Sequence, residues 1–228
     1  MFGISAEWLR AFILLPNESR CYHEIYLMQV DLIFGIIVLV LSIVLHEVSH
    51  GYAADRLGDP TARLAGRLTL NPIKHLDLFG SLIFPAMTYL MGGFIFGWAK
   101  PVPYNPYNLR DQKWGEAKVA FAGPASNLLI ALVFGIIIRL GILSSALTSL
   151  IVLIVFINIL LAIFNLIPIP PLDGSKILFS LLPYKYSNFR SILERYSLFL
   201  LLFFIFFLWK LIFPIVIVLF HLITGLNL

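Results

Sequence analysis

His46, Glu47 and His50 lie in the segment His46-Glu47-Val48-Ser49-His50, directly after an apolar run, Leu32 to Leu45, that holds no charged residue. Two imidazoles four positions apart share one face of a helix. That spacing suits two nitrogen ligands of one zinc ion, with the Glu47 carboxylate beside them to act as a base on water. Ionisable groups at membrane depth are costly and mark functional positions. The competing reading is a pair of core histidines with a glutamate reaching toward the interface. Three such groups inside one apolar run weigh against it.

A second constellation stands at Asn165-Leu166-Ile167-Pro168-Ile169-Pro170-Pro171-Leu172-Asp173-Gly174. Its three prolines remove three backbone donors and push the preceding residues extended. A helix must therefore stop near Asn165, and a second one is expected after Gly174, to about Leu182. Asp173 is either the N-cap of that helix or the third metal ligand. Beside two histidines that lack one, the ligand reading is preferred. Two neutral imidazoles, one carboxylate, Zn²⁺ and a hydroxide sum to zero charge, so the assembled site is far less costly to bury than its ions.

The elements that must position these groups are membrane helices. The chain of 228 residues is 60% hydrophobic and 12% charged, with mean hydropathy +0.95. Soluble domains carry about 25% charged residues. An all-α polytopic membrane protein is expected, one membrane-embedded domain over 1–228 with its catalytic core at about 27–182. The net charge of +4 comes from Lys and Arg near segment ends; it reads as topology and not as nucleic-acid binding. Cys21 is the single cysteine, so no intrachain disulfide can form. Glu7 and Arg10 interrupt the N-terminal apolar residues, which makes 1–26 an interfacial amphipathic segment and not a signal peptide.

Apolar stretches run from about Leu27 to Ala54, Leu78 to Trp98, Val119 to Leu140, Leu143 to Ile167, and Tyr196 to the C-terminus. Residues 55–78, 99–118 and 176–195 are rich in Lys and Arg, whereas the turn near 139–147 holds only Arg139. By the positive-inside rule the first three face the cytosol and the turn faces out. Both 55–78 and 99–118 can be cytosolic only if 78–98, with Pro85 and Gly92-Gly93, is re-entrant or interfacial. The two histidines and the end of the fourth stretch then reach the same cytosolic depth. The last stretch, with Lys210 and Pro214, is either one tilted, kinked helix over 196–228 or a helix followed by a surface segment. Ala65–Leu70 and Val102–Asn105 are expected as short strands at the cytosolic face, one offering an edge to substrate. His75, after Asn71-Pro72, is placed on a cytosolic surface. His221 is placed at the interface.

The chain resembles the site-2 protease family of intramembrane zinc metalloproteases. The resemblance rests on His46-Glu47-Val48-Ser49-His50-Gly51, on Gly123-Pro124-Ala125-Ser126-Asn127 and on Asn165 to Gly174, in that order and in apolar surroundings. Leu70-Asn71-Pro72-Ile73-Lys74-His75 and Pro101-Val102-Pro103 are similar to the compact prokaryotic branch, without PDZ or CBS modules. The resemblance implies one zinc ion per chain held by His46, His50 and Asp173, with Glu47 as general base. It also implies Asn165 as an oxyanion donor and Asn127 near the active site, on substrate. Asn165 otherwise reads as a helix-end residue satisfying local backbone, and Asn127 as a packing residue among small neighbours. The implied partners are the bilayer and transmembrane protein substrates. The implied place is the cell membrane, with the active site toward the cytosol. The sequence names neither the substrate nor the oligomeric state. The rival functions are a peptidase for soluble or lipidated peptides at the cytosolic face and a non-enzymatic metal-binding membrane protein.

Overall fold

The computed structural model describes residues 18–83, 87, 90 and 100–226. Helices carry the chain, and no strand forms among the described residues. Helix α1 spans Glu18–Arg56, α2 Gly115–Arg139 and α3 Ser145–Asn165. Leu32–Arg56 of α1, all of α2 and all of α3 are long and apolar enough to cross a bilayer. They are followed by α4, Asp173–Leu181, and α5, Ser187–Arg195. The last run is α6, Ser197–Phe203, a π turn at Phe204–Leu208, and α7, Trp209–Thr224. The protein is an all-α polytopic membrane protein.

The chain divides into two compact units. The smaller comprises Met1–Val38 and Leu76–Lys100. Within it the Gly80 N–H donates to Asp77 Oδ2 at 3.1 Å, at the start of a π turn over Leu78–Ile83. The interfacial segment expected at 1–26 and the re-entrant segment expected at 78–98 fall largely outside the described residues. The larger unit, Leu39–His75 with Pro101–Leu228, holds every candidate site residue.

Lipid tails are as apolar as leucine, so close packing holds membrane helices together. In the larger unit, α2, α3 and α7 share a core of Ala131, Ile138, Val155, Ile159, Val216 and Phe220. Gly135 of α2 permits the approach of α7, because a Cβ there would overlap the Ile223 side chain. At the far end of α2, Arg139 Nε donates to the Ile223 carbonyl at 2.9 Å and a second guanidinium nitrogen donates to Leu222. These carbonyls belong to the last turn of α7, where a cation also complements the helix dipole. The run from Ser197 to Thr224, about 42 Å at 1.5 Å per residue, ends beside Arg139. Helical backbone continues from Ser197 through the π turn to Thr224, with Pro214 inside α7.

The proline-broken segment after α3 folds back beneath α4. Ile167 and Leu172 pack against Leu201 and Phe204. Gly174 in the first turn of α4 lies directly on the chain leaving α3: a Cβ there would overlap the Leu166 and Ile167 carbonyls. Backbone cannot swing aside as a side chain can, so only glycine fits.

A buried carboxylate orders the chain beyond α1. After α1 the chain turns at Gly58, φ +111, a value glycine adopts readily. Asp59, fully buried, then accepts hydrogen bonds from Thr61 N and Oγ1, from Asn105 N and from Asn108 Nδ2. Burial works to raise its pKa. The donors from Thr61, Asn108 and Asn105 outweigh this and hold the carboxyl below its ordinary range. The Asp59 cluster ties the end of α1 to the loop before α2.

The expected strands do not form. Ala65 N, Gly66 N and Arg67 N donate to Thr61, Arg63 and Ala62, extending the turn that begins at Thr61. At Val102–Asn105 the flanking prolines 101 and 103 lack donors, and the Val102 and Asn105 N–H groups go to Glu47 and Asp59. Only the Tyr104 N–H is left over, too little for a ladder.

Two outcomes follow. Gly174→Ala should lower unfolding stability by about 3 kcal/mol, the upper range for overpacking, measured by thermal unfolding in detergent; an unchanged midpoint would contradict the close approach. Asp59→Asn should cost roughly 1–3 kcal/mol at neutral pH. A depressed folded pKa stabilises above the unfolded value of about 3.9, and the gain fades as pH falls through the lower folded value. The gap between variant and parent should therefore narrow below about pH 4.

Candidate metal centre

One face of α1 carries Ser42, His46, His50 and Ala54, each four residues from the last and all buried. A stripe at this spacing runs nearly parallel to the helix axis, and it faces α2. Across from it the first turn of α4 delivers Asp173. His46 Nε2 and His50 Nε2 are 3.0 Å apart, and Asp173 Oδ2 lies 3.1 and 3.0 Å from them. Tetrahedral zinc with bonds of about 2.0–2.2 Å sets its ligand atoms roughly 3.3 Å apart. The three atoms already sit near that separation.

The outer ring nitrogens are engaged. His50 Nδ1 lies 2.7 Å from the Val119 carbonyl of α2. A carbonyl only accepts, so Nδ1 carries the proton and Nε2 presents a lone pair inward. His46 Nδ1 lies 2.7 Å from Asn127 Oδ1. Gly123 leaves the space the donors need: a Cβ there would stand 2.5 Å from His50 Nε2 and 2.6 Å from His46 Nε2. The donor set and this cradle fit a zinc ion.

Glu47 sits beside the cluster, one ligand atom of each of His46, Glu47 and His50 falling within 4.8 Å of the others. Its Oε2 accepts from the Val102 N–H at 2.9 Å. Pro101 and Pro103 have no N–H, so this is the one backbone donor that Pro101-Val102-Pro103 offers. Val102 is held close because Gly51 has no Cβ, which would lie 2.9 Å from Val102 Cγ1. On the other side Lys176 Nζ is 3.5 Å from Asp173 Oδ1 and 5.3 Å from the centre of the Tyr104 ring.

The structure thus brings together His46, Glu47, His50, Asp173 and Asn127. Asn127 is fully buried, its oxygen on His46 and its nitrogen on Asn158 Oδ1 at 2.9 Å. Asn165 is not drawn in by any hydrogen bond; its Nδ2 donates to Leu161 O at 2.9 Å. His75 corrects its surface assignment. It is 1% exposed and its Nε2 meets the Thr69 carbonyl at 2.8 Å, because Asn71 Oδ1 caps Ile73 N and turns the segment back on itself. His221 is exposed near the end of α7. The sequence reading passed over Asn158, an amide in the middle of a helix with no charged residue. Polar groups so placed face the bundle interior, and that signal was available.

The model of peptidase family M50 matches residues 34–144 and 141–208. "Putative zinc metalloprotease YwhC" of Bacillus subtilis is 39% identical over 157 residues, 65% of this chain and 68% of that protein. "Putative zinc metalloprotease Rip2" of Mycolicibacterium smegmatis is 33% identical over 61% of this chain, a match covering 56% of that protein. "Putative zinc metalloprotease MJ0611" of Methanocaldococcus jannaschii is 30% identical over 64% of this chain and 72% of its own length. No solved structure matches. Because the family match begins before His46 and ends beyond Asp173, taking in every side chain of the cluster, the chain belongs to peptidase family M50.

Proposed function

We propose that this zinc metalloprotease hydrolyses peptide bonds within or beside transmembrane segments of membrane-protein substrates. The observation that carries the reading is the meeting of His46 Nε2, His50 Nε2 and Asp173 Oδ2 within 3.1 Å of one another, on a helix apolar enough to cross a bilayer.

In this reading His46, His50 and Asp173 hold the metal. The chemistry a bound zinc ion supplies is that of a Lewis acid, polarising the scissile carbonyl and lowering the pKa of water toward neutrality. Glu47 takes the proton of the attacking water and passes it to the leaving amine nitrogen. The Val102 N–H fixes Oε2 and so orients the carboxylate, leaving Oε1 to take the proton. Asn127 orients His46 through its Oδ1. Asn165 is the proposed oxyanion donor; a carboxamide has two N–H bonds, and the one not used toward Leu161 would serve. Such donors contribute about 3 kcal/mol where they have been removed. The domain is a single membrane-embedded peptidase.

The cytosolic orientation is supported by Arg56, Arg63, Arg67 and Lys74 beyond the site-bearing end of α1, against Arg139 alone at the opposite turn. Water reaches the site from that side.

Purified parent should contain one zinc and cut a model transmembrane peptide inside its apolar stretch. Glu47→Gln should keep zinc and lose at least a thousandfold in rate; Asp173→Asn should lose zinc. Persisting cleavage in Glu47→Gln would remove the general-base assignment, and cuts confined to soluble peptides would favour the surface peptidase. A reporter fused at Asn108 should read cytosolic, and an external signal would reverse the orientation.

A further inference from the structure

Behind Asn127, which orients His46, lie buried side chains that the catalytic reading does not use. Asn127 Nδ2 donates to Asn158 Oδ1 at 2.9 Å and approaches the Ser42 carbonyl at 3.4 Å. Asn158 Nδ2 donates to the Ile154 carbonyl at 2.9 Å and to Ser42 Oγ at 3.0 Å. Asn127 and Asn158 are both fully buried, and Ser42 nearly so.

The direction of every bond in this chain is set at its far end. The Ile154 carbonyl can only accept, so Asn158 must turn its NH₂ toward it. Asn158 Oδ1 then faces Asn127 and can only accept, which commits the Asn127 NH₂ to that side. The Ser42 carbonyl, also an acceptor, enforces the same choice. Asn127 Oδ1 is left facing His46 Nδ1, which must carry the ring proton. His46 Nε2 is therefore a lone pair aimed at His50 Nε2 and Asp173 Oδ2. A flip of either amide would set two oxygens or two NH₂ groups against each other in a dry interior, a loss on the scale of an unsatisfied buried polar group.

We propose that Asn158 is a positioning residue: acting through Asn127, it fixes the tautomer of His46 and so prepares its Nε2 for the metal. The inference rests on the zinc reading of the site. Buried hydrogen-bond partners of metal-binding histidines are worth 10–100-fold in metal affinity, and Asn158, one bond further out, should fall at the lower end. His50 needs no such relay, since a helix carbonyl holds its Nδ1 directly.

The test is zinc affinity of the full chain in detergent, by competition with a chelator. Asn158→Leu should bind zinc about tenfold more weakly than parent, and Asn127→Leu at least as weakly as that. In the Asn127→Leu background, Asn158→Leu should change nothing further, because the partner through which it acts is gone. Parent-like affinity in Asn158→Leu, or the same tenfold loss in both backgrounds, overturns the relay while leaving the zinc reading intact. Absence of zinc binding in the parent would instead remove the zinc reading. A measurement that needs no variant is the imidazole ¹⁵N signal of His46 in zinc-free parent. It should report a proton on Nδ1; a bare Nδ1, with the proton on Nε2 alone, overturns the proposal even if the variants fail to fold.

Discussion

Bringing ionisable groups to membrane depth is the constraint on which the rest of this structure depends. Two imidazoles and a carboxylate there are tolerable only if each finds partners, and the architecture is arranged to provide them. Each histidine has one nitrogen turned to a fixed acceptor on α2 and the other turned to the cluster. Asp173 is set against both rings by a helix that starts on the proline-broken segment. The close approaches at Gly123 and Gly174 exist because the donors must meet within about 3 Å. A methyl group at Gly123 would occupy the space on which the donors converge, and one at Gly174 would strike backbone.

Much of this was written in the residue order. His46, Glu47 and His50 declared themselves because charge is conspicuous in an apolar run, and the three prolines after Asn165 marked where α3 had to end. α3 does end at Asn165, and α4 begins at Asp173, one residue before Gly174. That a distant aspartate would stand beside the histidines was also a sound expectation, since the site needed a negative charge.

What stayed hidden was contact between elements. Nothing in Pro101-Val102-Pro103 says that its lone N–H is given to a glutamate fifty-five residues earlier. A short strand was expected there, but Pro101 and Pro103 have no N–H to give to a ladder. His75 looked like loop surface because it follows the turn-like Asn71-Pro72; Asn71 folds the segment so that the ring is enclosed. Asn158 carries no charge to mark it, although a neutral amide in hydrocarbon obeys the same rule of compensation. The contact of Arg139 with the end of α7 was hidden too, because it joins residues far apart in sequence.

The separation of the donors along the chain has a consequence for biogenesis. His46 and Asp173 are 127 positions apart, and α2 and α3 lie between them. A nascent chain threaded only as far as its first hairpin has half a cluster and no carboxylate to complete it. The cluster of two imidazoles and a carboxylate thus comes into being only once α4 has docked, late in the assembly of the chain.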